Sequence, residues 1–305
     1  MPKDRDAATG GEGGGGGFAW VRLLRVHHWL KNVLLAVPYL TAQAWGTPRA
    51  ALDIVLGIGA FSLLASATYV LNDLGDVAAD RAHPEKRRRP LAAGTIGVVP
   101  ALIVAVFVGV AGVALGELVG LRFLRVLAAY VLLTVLYSRR LKRVAILDVL
   151  ALAGLWTLRL AAGAAAIDVD LSAWLLSFGA FLFLSLSLVK RCAELRASGA
   201  ARLPGRGYEQ ADLAALEVFG IATGVVSVLV LALFVDSTPA EQHYAHHERL
   251  WLMCPAIWFW LGRIWLITGR GQMHHDPVVF SLKDPASWAA FAAVAAAWML
   301  ALVKV

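Results

Sequence analysis

A chain of 305 residues that is 59% hydrophobic and only 16% charged, with a mean hydropathy of +0.69, has the composition of a polytopic membrane protein and not of a soluble globular domain. Its formal net charge of +7 is mainly a topology signal, since Lys and Arg collect in short cytoplasmic loops and meet anionic headgroups there; it gives no reason to expect nucleic acid as a partner. Two cysteines, expected near opposite faces of the membrane, exclude a disulfide framework, and no Cys/His metal spacing occurs.

Residues 1–20 read as a Gly-rich polar tail that cannot bury enough surface to fold, followed by a single transmembrane domain over 21–305. Nine apolar stretches are long enough to cross a bilayer as helices: Trp29–Ala44, Ala51–Leu71, Gly97–Leu118, Leu121–Tyr137, Val144–Ala166, Leu171–Val189, Leu216–Val235, Leu250–Thr268 and Trp288–Val303. The first carries Lys31 and Asn32 and lacks a small-residue cleavage site, so it reads as a span and not as a leader. Placing the N-terminus in the cytoplasm puts most of the 28 Lys and Arg residues on that side and the C-terminus on the other. The expected location is the plasma membrane, with the working face toward the cytoplasm. The opposite loops are ordinary, and His243, His246 and His247 read as a solvated polar loop.

After the second span the chain reads NDLGDVAADRAHPEKRRRPLAAG, from Asn72 to Gly94. Helical residues at i, i+3 and i+7 fall within about 60° of one another, so a continued helix places Asp73, Asp76 and Asp80 on one face at the mouth of the bundle, with Asn72 as a neutral oxygen donor. Clustered carboxylates repel unless a cation sits among them, and oxygen-only ligands suit Mg²⁺, which commonly bridges protein carboxylates to substrate phosphates. The plainer reading is a solvated helix end whose aspartates pair with Arg81, Lys86 and Arg87; it accounts for each charge singly but not for the shared face. Lys86, Arg87, Arg88 and Arg89 beside such a site point to a phosphorylated substrate, and Pro84 and Pro90 keep their segment a loop. Inside the spans, Arg159 lies among small residues and reads as facing a polar cavity, with Asp148 a candidate partner; Lys31 reads either as a cavity group or as a snorkelling anchor, and Arg263 stays ambiguous.

The NDxxDxxxD pattern resembles the first aspartate-rich motif of the UbiA superfamily of intramembrane prenyltransferases. The resemblance extends over RVHHWLKN at 25–32, YSRRLK at 137–142, LRLAAG at 158–163, KRCAEL at 190–195 and DPVVFSLKD at 276–284, and within the superfamily it is to the decaprenyl-phosphate phosphoribosyltransferase branch. Superfamily members that use prenyl diphosphates carry a second aspartate-rich motif after the sixth span. Here that region reads SLVKRCAELRASG, with Lys190 and Arg191 where acids are expected and Glu194 as the lone carboxylate. Fixed cations in place of a second metal suit a second phosphate group.

The resemblance implies an all-α bundle and a Mg²⁺-dependent transfer of 5-phosphoribose from phosphoribosyl pyrophosphate to a polyprenyl phosphate, with release of pyrophosphate for a cell-envelope glycan precursor. It implies Asp73, Asp76 and Lys86 as catalytic residues and Asn72, Asp73, Asp76 and Asp80 as metal ligands. Lys31, Asn72, Arg87, Arg88, Arg89, Tyr137, Lys142, Arg159, Lys190, Arg191 and Glu194 are the expected substrate contacts. His27, His28 and His83 are expected to serve as interfacial or hydrogen-bonding groups, because an anionic phosphate nucleophile needs no activating histidine. Two other functions compete: prenyl transfer from a diphosphate to an aromatic acceptor, and a cation transporter, which would place acidic groups at mid-membrane or on both faces. Lipid-facing surfaces rich in Trp, Leu and Ala are compatible with homo-oligomers.

Overall fold

The computed structural model describes residues 15–82, 86–273 and 276–303; His83 and Pro84, and the tail up to residue 14, lie outside them. The described residues form helices joined by turns, with one isolated antiparallel bridge between Arg202 and Glu209. Eight of the described helices are long and apolar enough to cross a membrane. The first expected span, 29–44, is built differently: a ten-residue 3₁₀ segment, Val26–Leu35, runs into a six-residue α-helix. Lys31, Asn32 and Pro38 interrupt its hydropathy. At rises of about 2.0 and 1.5 Å per residue the two pieces cover roughly 29 Å, so the segment has the length of a span without its continuous apolar face.

The chain divides into two compact units, 1–131 and 132–305. The first unit holds α1 (Gly15–Leu23), the 3₁₀ segment, α2 (Ala36–Thr41), α3 (Pro48–Gly75), α4 (Val77–Ala82), α5 (Val98–Val119) and most of α6 (Leu121–Arg139). Helix α1 starts at Gly15, inside the stretch the sequence reads as a Gly-rich tail. Its apolar residues explain the difference, since Ala19 and Leu23 are buried against Val70, Leu91 and Ile96. Helices α3 and α5 pack backbone to backbone: a Cβ on Gly112 would stand 3.0 Å from the Ala60 carbonyl oxygen. In a bilayer such close approach replaces the hydrophobic drive that lipid removes. The 3₁₀ segment is fastened to α3 by side chains. Asn32 Nδ2 donates to Ser62 Oγ at 2.9 Å and Trp29 Nε1 to Ser66 Oγ at 2.9 Å, while Ser66 Oγ donates to the Leu24 carbonyl at 2.8 Å.

The second unit holds the end of α6, α7 (Leu147–Ala166), α8 (Ala173–Ser198), α9 (Leu213–Val235), α10 (Thr238–His243), α11 (Met253–Gly269), α12 (Pro277–Lys283) and α13 (Pro285–Leu302). Ser185 on α8 ties three helices together, accepting from Trp265 Nε1 at 3.1 Å and donating to the Gly220 carbonyl at 2.7 Å. Arg263, ambiguous in the sequence, is structural: its guanidinium donates to Asp284 at 2.6 Å, and Asp284 caps α13 by accepting from the Ser287 backbone N–H at 2.8 Å. Burial works to raise the Asp284 carboxyl, yet the bonds from Ser287 and Arg263 hold it below the usual carboxylate range. Both cysteines are buried and free.

Candidate active site

In the first unit α3 ends at Gly75, and Asp76, at φ −102° and ψ 4°, turns the chain into α4. That turn alters the face the sequence predicts. Asp73 and Asp80 are buried and share one cation: Arg89 Nη1 lies 3.1 Å from Asp73 Oδ1 and 2.7 Å from Asp80 Oδ2. Asp76 instead stands exposed, with no ion pair among the described residues. The three carboxylates therefore do not converge as an uninterrupted helix would make them. Among the described residues no three His, Cys, Asp or Glu side chains gather in a way that could hold an ion.

A second cation, Arg25, reaches Asp73 Oδ1 at 2.7 Å and stacks over Tyr69, its guanidinium carbon 4.9 Å from the ring centre. Arg25 has φ 51°, in the left-handed region that costs a non-glycine residue about 1–2 kcal/mol. The strained junction between α1 and the 3₁₀ segment thus aims a guanidinium at the first motif aspartate. Asn72 is half-buried at the end of α3. Lys86, Arg87 and Arg88 form one exposed 3₁₀ turn, and the Arg88 carbonyl accepts from Arg22 at 3.1 Å. Lys31 is half-buried on the 3₁₀ segment. Burial, and after it the charges of Arg25 and Lys31, lower the His27 pKa and keep the imidazole neutral at pH 7.

The donors Asn72, Asp73, Asp76 and Asp80 are oxygen-only, the chemistry a hard divalent cation asks for, but gathering them around an ion requires Arg25 and Arg89 to leave Asp73 and Asp80. The exposed Asp76 carboxylate is open to such an ion. Arg25 and Arg89, 23% and 31% exposed, are accessible enough to exchange carboxylate for phosphate oxygens.

The second unit carries a different cluster, centred on Asp148 in the first turn of α7. Asp148 and Arg191 are both 0% exposed, and Arg191 Nη2 approaches Asp148 Oδ2 to 2.6 Å as an ion pair without hydrogen-bond alignment. Arg191 also pairs with Glu194 one turn on and lies over Tyr208, 5.5 Å from the ring centre. Arg206, 22% exposed, donates to Asp148 Oδ1 at 2.6 Å and to the Tyr137 hydroxyl at 2.7 Å. Burial opposes its charge, but Tyr137 and Asp148 more than offset that and raise its pKa. Tyr208 accepts from the Ile146 backbone N–H at 3.0 Å, and burial pushes its phenol up to about 12.

Gly207 explains how the loop before α9 reaches this place. A Cβ there would stand 2.6 Å from the Arg143 carbonyl oxygen and 2.8 Å from the Ala145 nitrogen, so only glycine lets Arg206 and Tyr208 close on Asp148. Asp148 is therefore not the partner of Arg159. The Arg159 guanidinium bonds the Leu155 carbonyl of its own helix at 2.5 Å and lies over Trp156. Lys142 is half-buried in the turn between α6 and α7. Lys190 Nζ lies 3.6 Å from Asp276, which caps α12; the 276–284 loop is thus fastened to α8 at one end and, through Asp284, to α11 at the other. Sequence reasoning gave no site role to Arg25, although it opens the RVHHWLKN stretch, or to Arg206 and Tyr208.

An all-helical membrane chain with an NDxxDxxxD motif and a buried cationic cluster defines the class, and family comparison agrees: residues 33–240 match the UbiA prenyltransferase family, to which this chain belongs. Among its relatives, an uncharacterised protein of Sinorhizobium fredii is 38% identical over 93% of this chain and 56% of its own length. Nodulation protein NoeC of Azorhizobium caulinodans is 36% identical over 86% of both chains. Decaprenyl-phosphate phosphoribosyltransferase of Mycobacterium tuberculosis is 35% identical over 57% of this chain and 59% of its own. The chain thus spans little more than half the length of two of these three. Among solved structures, a UbiA homologue of Archaeoglobus fulgidus bound to GPP and Mg²⁺ superposes with a TM-score of 0.64 at 17% identity, covering 92% of this chain and 99% of that one. A structure concerning digeranylgeranylglyceryl phosphate synthase gives 0.66 at 14% identity over 95% and 99%. The chain therefore has the UbiA fold, with eight described helices long and apolar enough to cross a membrane.

Proposed function

We propose that this chain transfers 5-phosphoribose from phosphoribosyl pyrophosphate to a polyprenyl phosphate on the cytoplasmic face of the plasma membrane, releasing pyrophosphate. The observation that carries the reading is the buried cluster around Asp148: Arg191 stands where the resemblance leads one to expect acids, and Arg206 closes on the same carboxylate from the loop before α9. Because Arg191 is fully buried, it acts as a positioning residue, and the accessible Arg206 and Lys190 are the groups that meet a phosphate monoester. Partial similarity to relatives named decaprenyl-phosphate phosphoribosyltransferase supports phosphoribosyl transfer to a polyprenyl phosphate.

In this reading a lipid phosphate oxygen attacks the anomeric carbon as the bond from that carbon to the diphosphate oxygen breaks; the bonding pair leaves with pyrophosphate. The nucleophile is already anionic, so no side chain needs to remove a proton. A Mg²⁺ ion held by Asn72, Asp73, Asp76 and Asp80 would supply charge neutralisation to the departing diphosphate. Arg25, Arg89 and Lys86 bind phosphate oxygens and stabilise the negative charge that grows on the leaving group. The experiment is an assay of purified protein with Mg²⁺, phosphoribosyl pyrophosphate and polyprenyl phosphate. Release of pyrophosphate together with a lipid-linked ribose phosphate supports the proposal. A folded protein that makes neither, yet prenylates an aromatic acid from a prenyl diphosphate, would overturn it.

A further inference from the structure

Between α9 and α11, both in the second unit, lies an apolar cavity of about 560 Å³ that none of the transfer chemistry uses. Its walls include Val228 on α9 and Trp258, Gly262 and Trp265 on α11, and its charged lining residues are Glu217 and Arg270. Trp265 is a fixed wall, because Ser185 holds its indole N–H at 3.1 Å. Gly262 opens the space: a Cβ there would meet no atom within 4 Å.

The volume and the charge narrow the occupant. If a methylene takes about the 30 Å³ share of a liquid water molecule, the cavity has room for one chain of about 18 carbons. A fatty acyl chain matches that volume, whereas only part of a long polyprenyl chain would lie inside it. Glu217 is neutralised by its ion pair with Arg196, whereas Arg270 is exposed with no ion pair among the described residues. The charged end therefore carries a net positive charge. A phosphodiester at Arg270 forms a charge-assisted contact, and a head that lacks its own ammonium group leaves that contact uncontested.

We infer that the α9–α11 cavity is a binding site for one acyl chain of an anionic glycerophospholipid, with the lipid phosphate on Arg270. The site stands independently of the transfer reaction proposed above. Native mass spectrometry of the full chain, delipidated and reloaded with phosphatidylglycerol or with phosphatidylcholine of identical chains, tests it. The wild type retains one phosphatidylglycerol per chain and retains phosphatidylcholine less. Arg270→Gln lowers phosphatidylglycerol retention about ten-fold, the size expected for one lost charge-assisted bond. Gly262→Phe fills the cavity and lowers retention of both lipids. Equal retention of the two lipids by the wild type, undiminished retention in Gly262→Phe, or one-for-one displacement by a long-chain polyprenyl phosphate would overturn the inference. Arg270 is exposed, so Arg270→Gln still decides the matter if Gly262→Phe fails to assemble.

Discussion

The two charged clusters use the same residue types in opposite ways. Around Asp73 the arginines are partly exposed and come from an irregular junction and a loop, so their carboxylate contacts can be exchanged for those of a ligand. Around Asp148 the acid and Arg191 are wholly buried, and the cluster reaches solvent only at its edge, through Arg206 and Glu194. Desolvation makes the difference: an exposed ion pair is weak and replaceable, whereas a buried one is costly to break, because whichever partner remains is left charged without compensation. The first cluster is suited to turnover and the second to holding a cation in place.

The sharpest way to break this contrast is Asp148→Ala, which strands Arg191 in the interior. Stability should fall by about 3–5 kcal/mol, the usual cost of removing one partner of a buried pair, visible as loss of the thermal unfolding transition in detergent. Pairing Asp148→Leu with Arg191→Met should recover much of that stability without recovering activity. By contrast, Asp73→Asn should leave the unfolding temperature nearly unchanged while turnover drops at least roughly 10²-fold, the scale of losing one preorganised electrostatic contact to the leaving group. If both variants lose stability equally, the clusters do not differ as described.

A smaller effect is expected of Arg89→Gln, which removes the cation shared by Asp73 and Asp80. The KM for the diphosphate donor should rise about ten-fold, with a lesser change in kcat, as loss of one charge-assisted phosphate contact predicts. Smallest is Asp276→Asn, since its pairing with Lys190 is long and partly exposed; stability should shift by no more than about 1 kcal/mol.

The first cluster was largely legible because its acids lie within one stretch at helical spacing, Asp73 to Asp80. Its error was local: the turn at Asp76 moves one carboxylate away from the other two. Arg25 was not legible, since it lies 48 residues before Asp73 and reaches it through a left-handed junction that no periodicity announces. Arg206 and Tyr208 were hidden for a similar reason, because they sit on an irregular loop; the one sequence signal was Gly207 between them, whose meaning depends on the backbone it touches. Most spans follow from hydropathy because the bilayer forces apolar segments into helices. The segment at 29–44 escaped that rule by replacing continuous hydropathy with side-chain bonds from Trp29 and Asn32 to α3.

Donor choice tests the account most directly. Purified protein is given Mg²⁺, polyprenyl phosphate and an aromatic acid together with equal concentrations of phosphoribosyl pyrophosphate and a prenyl diphosphate, and the lipid products are weighed by mass spectrometry. The account predicts a polyprenyl-linked ribose phosphate, absent when Asp73 is replaced by asparagine. A prenylated aromatic acid as the product would contradict it.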